Sequence, residues 1–228
     1  MSYKKIGVVV ADDGEYYPFL ESVSDVVKME TPFRDAFGFS CGKTEVVALL
    51  CGIGKVNAAA GTMYLIDSGC DCILNFGLSG GLWEVACGDF VAPESFLEHD
   101  FDLTPLGYKP CQKPGQDYIY HADKQLTDIF CKTGFVKQTG SAVCGDRFIS
   151  DNKSRDYLIN AFSATSCDME TAAIASVCHM SNIPFASIRR ISDSADDNAV
   201  KSYSDMNENE GITLCEAFIK CLKGVADV

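Results

Sequence analysis

Lys5-Ile6-Gly7-Val8-Val9-Val10-Ala11 is the stretch whose reading decides the fold. It is a continuous, β-branched run without the apolar–polar alternation of a half-exposed strand, so it predicts a strand buried on both faces. Outward from it the same rhythm recurs. A helical pattern covers 15–28, an apolar run covers 45–51, and Gly52-Ile53-Gly54 leads into an alanine-rich helix over 58–68. The next strand is Asp71-Cys72-Ile73-Leu74-Asn75-Phe76, closed by the glycine loop Gly77-Leu78-Ser79-Gly80-Gly81. Further strands are expected over 88–97, 135–144, 164–168 and 184–191. Helices are expected near 123–132, 152–161, 169–181 and 207–224. Strands alternating with helices predict an α/β fold, a three-layer sandwich around a central, mostly parallel twisted sheet. A chain of 228 residues suits one domain over 1–228. The least regular piece, 100–121, carries Pro105, Pro110 and Pro114 and reads as a long surface loop.

Composition excludes several partners. Apolar residues make up 47% and charged residues 22%, an ordinary globular balance. A net charge of −13 gives no basic surface for nucleic acid or an anionic membrane. The apolar run Ile6–Ala11 is too short to span a bilayer and has no small-residue cleavage site, which points to the cytoplasm. Twelve cysteines suggest disulfides until they are placed. Cys51, Cys70, Cys72, Cys144, Cys167 and Cys178 lie in or beside apolar segments, where cysteine acts as a small hydrophobe. Three histidines form no zinc-like cluster with them, so neither a metal nor a cofactor is expected.

In such sheets ligands gather beyond the carboxyl ends of the strands. Glu15 follows the first strand and Gly77–Gly81 the third. Phe148 and Ile149 follow the 135–144 strand, Met169-Glu170 follows 164–168, and Asp193 follows 184–191. Taken singly each has a plainer reading: a turn needing positive φ for the glycines, a first-turn acid for Glu15 or Glu170, a solvated acidic loop for Asp193. Of Arg189 and Arg190, one is expected to point outward and the other toward a carboxylate at the rim. Together the segments suit a purine nucleoside. Phe148 and the backbone of Ile149 fit a purine, and Met169 with Glu170 fits the two ribose hydroxyls. Cleaving the glycosidic bond builds an oxocarbenium-like sugar, so two acidic groups with opposed roles are needed. Asp193, with a raised pKa, would protonate the leaving base; Glu15, staying ionised, would activate water. Ser192 and Arg189 are placed to orient Asp193 or Glu170.

The motifs resemble the 5′-methylthioadenosine/S-adenosylhomocysteine nucleosidases of the nucleoside phosphorylase superfamily, over nearly the whole chain. Gly7–Ala11 with Glu15 looks like the family's first strand and catalytic glutamate. Cys51–Ala59 looks like its second glycine motif, and Asn75–Leu82, with Gly80, like its ribose-side glycine loop. His99–Tyr108 is similar to its dimer-contact segment. The resemblance implies a homodimer that hydrolyses adenine nucleosides, with Glu15 and Asp193 catalytic. Asp12-Asp13-Gly14 and Leu78 depart from the family pattern close to the sugar, which bears on the 5′ group. A phosphate-dependent phosphorylase and a non-catalytic nucleoside-binding protein are the alternatives. The first would need cations near Asp12, Asp13 and Glu15, where none is seen; the second would need neither acid nor base.

Overall fold

The computed structural model describes residues 3–206 and 213–227. Twelve strands among them form one mixed sheet. In chain order they are β1 (Lys5–Val10), β2 (Val27–Lys28), β3 (Asp35–Cys41), β4 (Thr44–Leu50), β5 (Cys72–Gly81) and β6 (Phe90–Val91). Then come β7 (Ser95–Glu98), β8 (Ile119–His121), β9 (Val136–Gln138), β10 (Ser141–Cys144), β11 (Ser166–Asp168) and β12 (Phe185–Asp193). The helices are α1 (Asp13–Glu21), α2 (Lys55–Asp67), α3 (Lys124–Lys132), α4 (Asn152–Phe162), α5 (Thr171–Ser181), α6 (Ala199–Asp205) and α7 (Leu214–Ala226).

The centre runs β4-β1-β5-β12 with every pairing parallel, and the edges β2-β3-β4 and β7-β8 are antiparallel. The first strand shows why the fold has three layers. Ile6, Val8 and Val10 enter a core with Tyr16, Phe19, Phe130 and Phe218 from α1, α3 and α7. Val9 enters a second core with Ala58 and Leu65 of α2 and Ile174 of α5. Gly7 faces that second layer, where a β-carbon would meet Leu65 Cβ at 3.2 Å and Ile73 Cδ1 at 2.7 Å. Alternate residues of one strand thus bury into helices on opposite sides.

Several boundaries differ from expectation. The first helix stops at Glu21 instead of running to 28, and Asp25 takes a positive φ of 57°. The hairpin strand β3 went unread. The 88–97 and 135–144 runs are each split, into β6 and β7 and into β9 and β10. The 100–121 segment is not wholly loop: Tyr120 of β8 is buried against the sheet and Cys111 is buried beside α4. The last helix begins at Leu214; residues 207–212, assigned to it from sequence, lie outside the described residues. Gly77–Gly81 is not a loop. It is the end of β5, paired with β12 on one side and, at Gly80 and Gly81, with β11 on the other.

Candidate active site

A cavity of about 370 Å³ opens where β1, β5, β11 and β12 end. Its walls include Glu15, Gly80, Phe148, Met169, Glu170, Arg189, Ser192 and Asp193. Ile149 lines a small adjoining recess shared with Gly80, Phe148 and Asp193. Every site residue expected from sequence therefore converges here.

Glycine makes the convergence possible. Gly77 and Gly80 have ordinary extended backbone, so a need for positive φ does not explain them; Gly52 and Gly54, at φ 99° and 97°, do have that need. A β-carbon at Gly77 would lie 2.6 Å from Arg189 Nη1 and 2.9 Å from Glu15 Oε1. One at Gly80 would lie 2.9 Å from Cys167 Sγ and 3.3 Å from Asp193 Oδ1. The strand is stripped of side chains so that catalytic candidates can lie on it.

Arg189 crosses this strand. Its Nε donates to Ser79 Oγ at 2.9 Å, Nη1 to Asn75 Oδ1 at 3.1 Å, and Nη2 to the Leu78 carbonyl. Glu170 Oε2 and Asp168 Oδ2 stand 3.9 and 4.0 Å from the guanidinium. Neither arginine points outward: Arg190 is equally buried, its guanidinium 5.7 Å from the Phe90 ring centroid. Alternation in a strand covered on both faces buries both.

Asp193 follows a register shift between β12 and β5. This bulge turns the chain so that Ser192 Oγ donates to Asp193 Oδ2 at 2.7 Å and the Ala195 N–H to Oδ1 at 2.8 Å. Burial raises the Asp193 pKa, against both of these bonds. Glu15 accepts the Leu78 N–H on Oε1 at 2.8 Å. Burial pushes its pKa from 4.5 to about 8, and the Arg189 charge only partly offsets this. Sequence alone expects Glu15 to stay ionised; burial works against that, and the Arg189 guanidinium offsets it only in part. Glu170 is raised by burial too, opposed first by Arg189.

Sequence reading missed the supports. Asn75 holds both Arg189 and the Ser187 hydroxyl, and its signal was a lone amide inside an apolar strand. Asp168 accepts the Glu170 and Thr171 N–H groups at 2.9 and 2.8 Å and so caps α5. Cys167 and, from α6, Val200, Tyr203 and Ser204 complete the walls. The Tyr203 ring stands edge-on to Phe148, centroids 5.8 Å apart. Asp12 also lines the cavity, but its Oδ1 is taken by the Gly14 N–H at 2.8 Å.

Residues 5–226 match the model of the phosphorylase superfamily. A 5′-methylthioadenosine/S-adenosylhomocysteine nucleosidase of an Exiguobacterium species is 34% identical over 217 residues, 91% of this chain and 93% of that one. The chain belongs to this nucleosidase family. A Bacillus subtilis nucleosidase of the same name is 34% identical over 190 residues, covering 80% and 82% of the two chains. Among solved structures, the Neisseria meningitidis nucleosidase in complex with methylthio-immucillin-A superposes with a TM-score of 0.86 at 31% identity, covering 98% and 97%. Within the nucleosidase fold, then, the cavity described above is where the sheet, the stripped strand and the buried acids coincide.

Proposed function

We propose that this nucleosidase hydrolyses the N-glycosidic bond of 5′-methylthioadenosine and S-adenosylhomocysteine, releasing adenine and the thioribose, as one domain and without a cofactor. The observation that carries the reading is the placement of two carboxyls in one cavity, the half-buried Glu15 against Gly77 and the buried Asp193 against Gly80. Three residue steps of strand separate those glycines, about 10 Å at roughly 3.3 Å per residue. Such a span admits a ribose with water on one face and the base on the other, comparable to the carboxyl spacing that leaves room for water in inverting glycosidases.

In this reading Asp193, its pKa raised by burial, gives its proton to the departing purine, which stacks on Phe148 and meets the Ile149 backbone. Ser192 orients Asp193, and Gly80 leaves room for the substrate beside it. Met169 and Glu170 hold the ribose hydroxyls, with Arg189 beside Glu170. Glu15 takes a proton from the attacking water; a carboxylate of raised pKa is the stronger base once ionised. Among the described residues lining the cavity Arg189 is the one cation, and each of its three nitrogens already donates to the protein, which supports water over phosphate as the nucleophile.

The working form is proposed to be a homodimer in which the 100–121 segment of a second copy covers the cavity mouth. Exposed Ile53, Phe148, Val200 and Tyr203 give that mouth an apolar rim. The cytoplasm is the proposed compartment, where twelve free thiols stay reduced. No helix among the described residues is long and apolar enough to cross a membrane. Adenine release from methylthioadenosine in phosphate-free buffer tests the reaction. Full activity there is the expected result. Release only with phosphate would identify a phosphorylase, and binding without release a nucleoside-binding protein.

A further inference from the structure

Charged groups form a path from the cavity at Glu170 to the half-buried Lys113. The Gly54 N–H donates to Glu170 Oε1 at 2.9 Å, and the next N–H, of Lys55, donates to Asp146 Oδ1 at 2.8 Å. Gly54 is the N-cap of α2 and offers no side chain of its own to cap the helix. Two unpaired donors at the helix start are therefore satisfied by carboxylates from other elements, with the helix dipole favouring the negative charge. The Lys55 side chain then turns back. Its Nζ donates to Glu98 Oε2 at 3.2 Å and Asp100 Oδ1 at 2.5 Å, while Asp100 Oδ2 accepts the Asp146 N–H at 3.0 Å. Lys113 pairs with the other oxygen of Glu98. Lys55 and Glu98 are each only 17% exposed at the side chain, so solvent screens the bridge weakly.

We propose that Lys55 is a positioning residue for substrate binding: by bridging Glu98 and Asp100 it ties the start of α2 to the end of β7 and holds the Gly54 N–H on the Glu170 carboxylate. This rests on the reading of Glu170 as the ribose contact. A carboxylate fixed at Oε1 presents Oε2 in one orientation, so bonds to the ribose hydroxyls form at little ordering cost. Without the ammonium, Asp100 and Asp146 face each other uncompensated, Glu98 keeps only Lys113, and the α2 start loses its tie to β7.

Steady-state kinetics on methylthioadenosine and its 3′-deoxy analogue test this with Lys55→Met, Lys55→Arg, Asp100→Asn, Glu170→Gln and the Lys55→Met/Glu170→Gln pair. Glu170→Gln should lose more on methylthioadenosine than on the deoxy analogue; equal loss removes the ribose assignment and this proposal with it. Given that selective loss, Lys55→Met should raise KM for methylthioadenosine about tenfold, change kcat less than about threefold, and cost under about twofold on the deoxy analogue. The double variant should be no worse than Glu170→Gln alone, because both act on one contact. Lys55→Arg should stay within about threefold of the parent, since it keeps the bridging charge. Asp100→Asn, a milder surface change whose folding is not at risk, should show the same selective loss at about threefold. Equal losses on both substrates, or additive losses in the double variant, would overturn the proposal and leave Lys55 an ordinary structural charge.

Discussion

A methyl group at Gly80 would sit 2.9 Å from Cys167 Sγ, 3.2 Å from Ala195 Cβ and 3.3 Å from Asp193 Oδ1. None of these can retreat far, because Cys167 and Ala195 are packed in the third core and Asp193 is held by Ser192 and Ala195. Gly80→Ala should therefore cost about 1–3 kcal/mol of stability and lower kcat by an order of magnitude or more, read by denaturant melts and adenine release. Glu15→Gln should lower turnover by about 10²–10⁴, since an amide takes no proton from water. The same change should stabilise the fold, and the sign follows from the raised pKa. Burial penalises only the charged form, so parent and variant should match below pH 4.5. Between pH 4.5 and about 8 the unfolded chain ionises Glu15 while the folded one does not, so the parent progressively loses stability that the variant keeps, and the loss levels off above about 8. The gap at pH 8–9 should be a few kcal/mol, at most about 5. The kcat/KM profile of the parent should carry an acid limb inflecting near 8; an inflection near 5 would make Glu15 an ordinary surface carboxyl. Asp193→Asn should be impaired severely on methylthioadenosine and much less on a nitrophenyl riboside, whose leaving group needs no proton.

At the scale of elements, two devices aim the site. The register shift in β12 delivers Ser192 and Asp193 to the cavity, and Asp168 caps α5 in place of Glu170. The second device frees the Glu170 carboxylate from the backbone of its own helix. Asp168→Ala should cost about 0.5–2 kcal/mol, as lost caps do, and should raise KM by loosening Met169 and Glu170. A thermal melt paired with kinetics checks both; an unchanged KM would mean that Asp168 serves the helix alone. Neither device was legible beforehand. A strand shift leaves no trace in the apolar pattern, and Asp168 read simply as the end of a strand.

At the scale of the molecule, the apolar rim of Ile53, Phe148, Val200 and Tyr203 is left exposed in the single chain. Sedimentation at micromolar concentration should give a dimer, and Tyr203→Asp should weaken both dimerisation and activity. A fully active monomer would contradict the proposed cover by the 100–121 segment. Substrate competition belongs at this scale too. With Asp12 committed to the Gly14 N–H, the buried value of a methylthio group should favour methylthioadenosine over adenosine by about tenfold to two-hundredfold in kcat/KM.

What the sequence determined by itself was the layering and the cast of the site. A run such as Ile6–Val10 has no polar residue to give to solvent, so it must lie between two layers of helices, and a parallel centre brings Glu15 and Asp193 to one end, where β11, antiparallel to β5, delivers Glu170. How these groups meet was set by packing between distant segments. Gly77 and Gly80 read as turn residues because glycine's commonest local use is positive φ; their use here is the absence of a side chain beneath Arg189, Glu15 and Asp193. One of Arg189 and Arg190 was expected to face solvent, because charge is ordinarily left in water. Both are buried, and the groups that hold them, at Asn75, Leu78 and Phe90, lie a hundred residues or more away in the chain, where no local pattern records them.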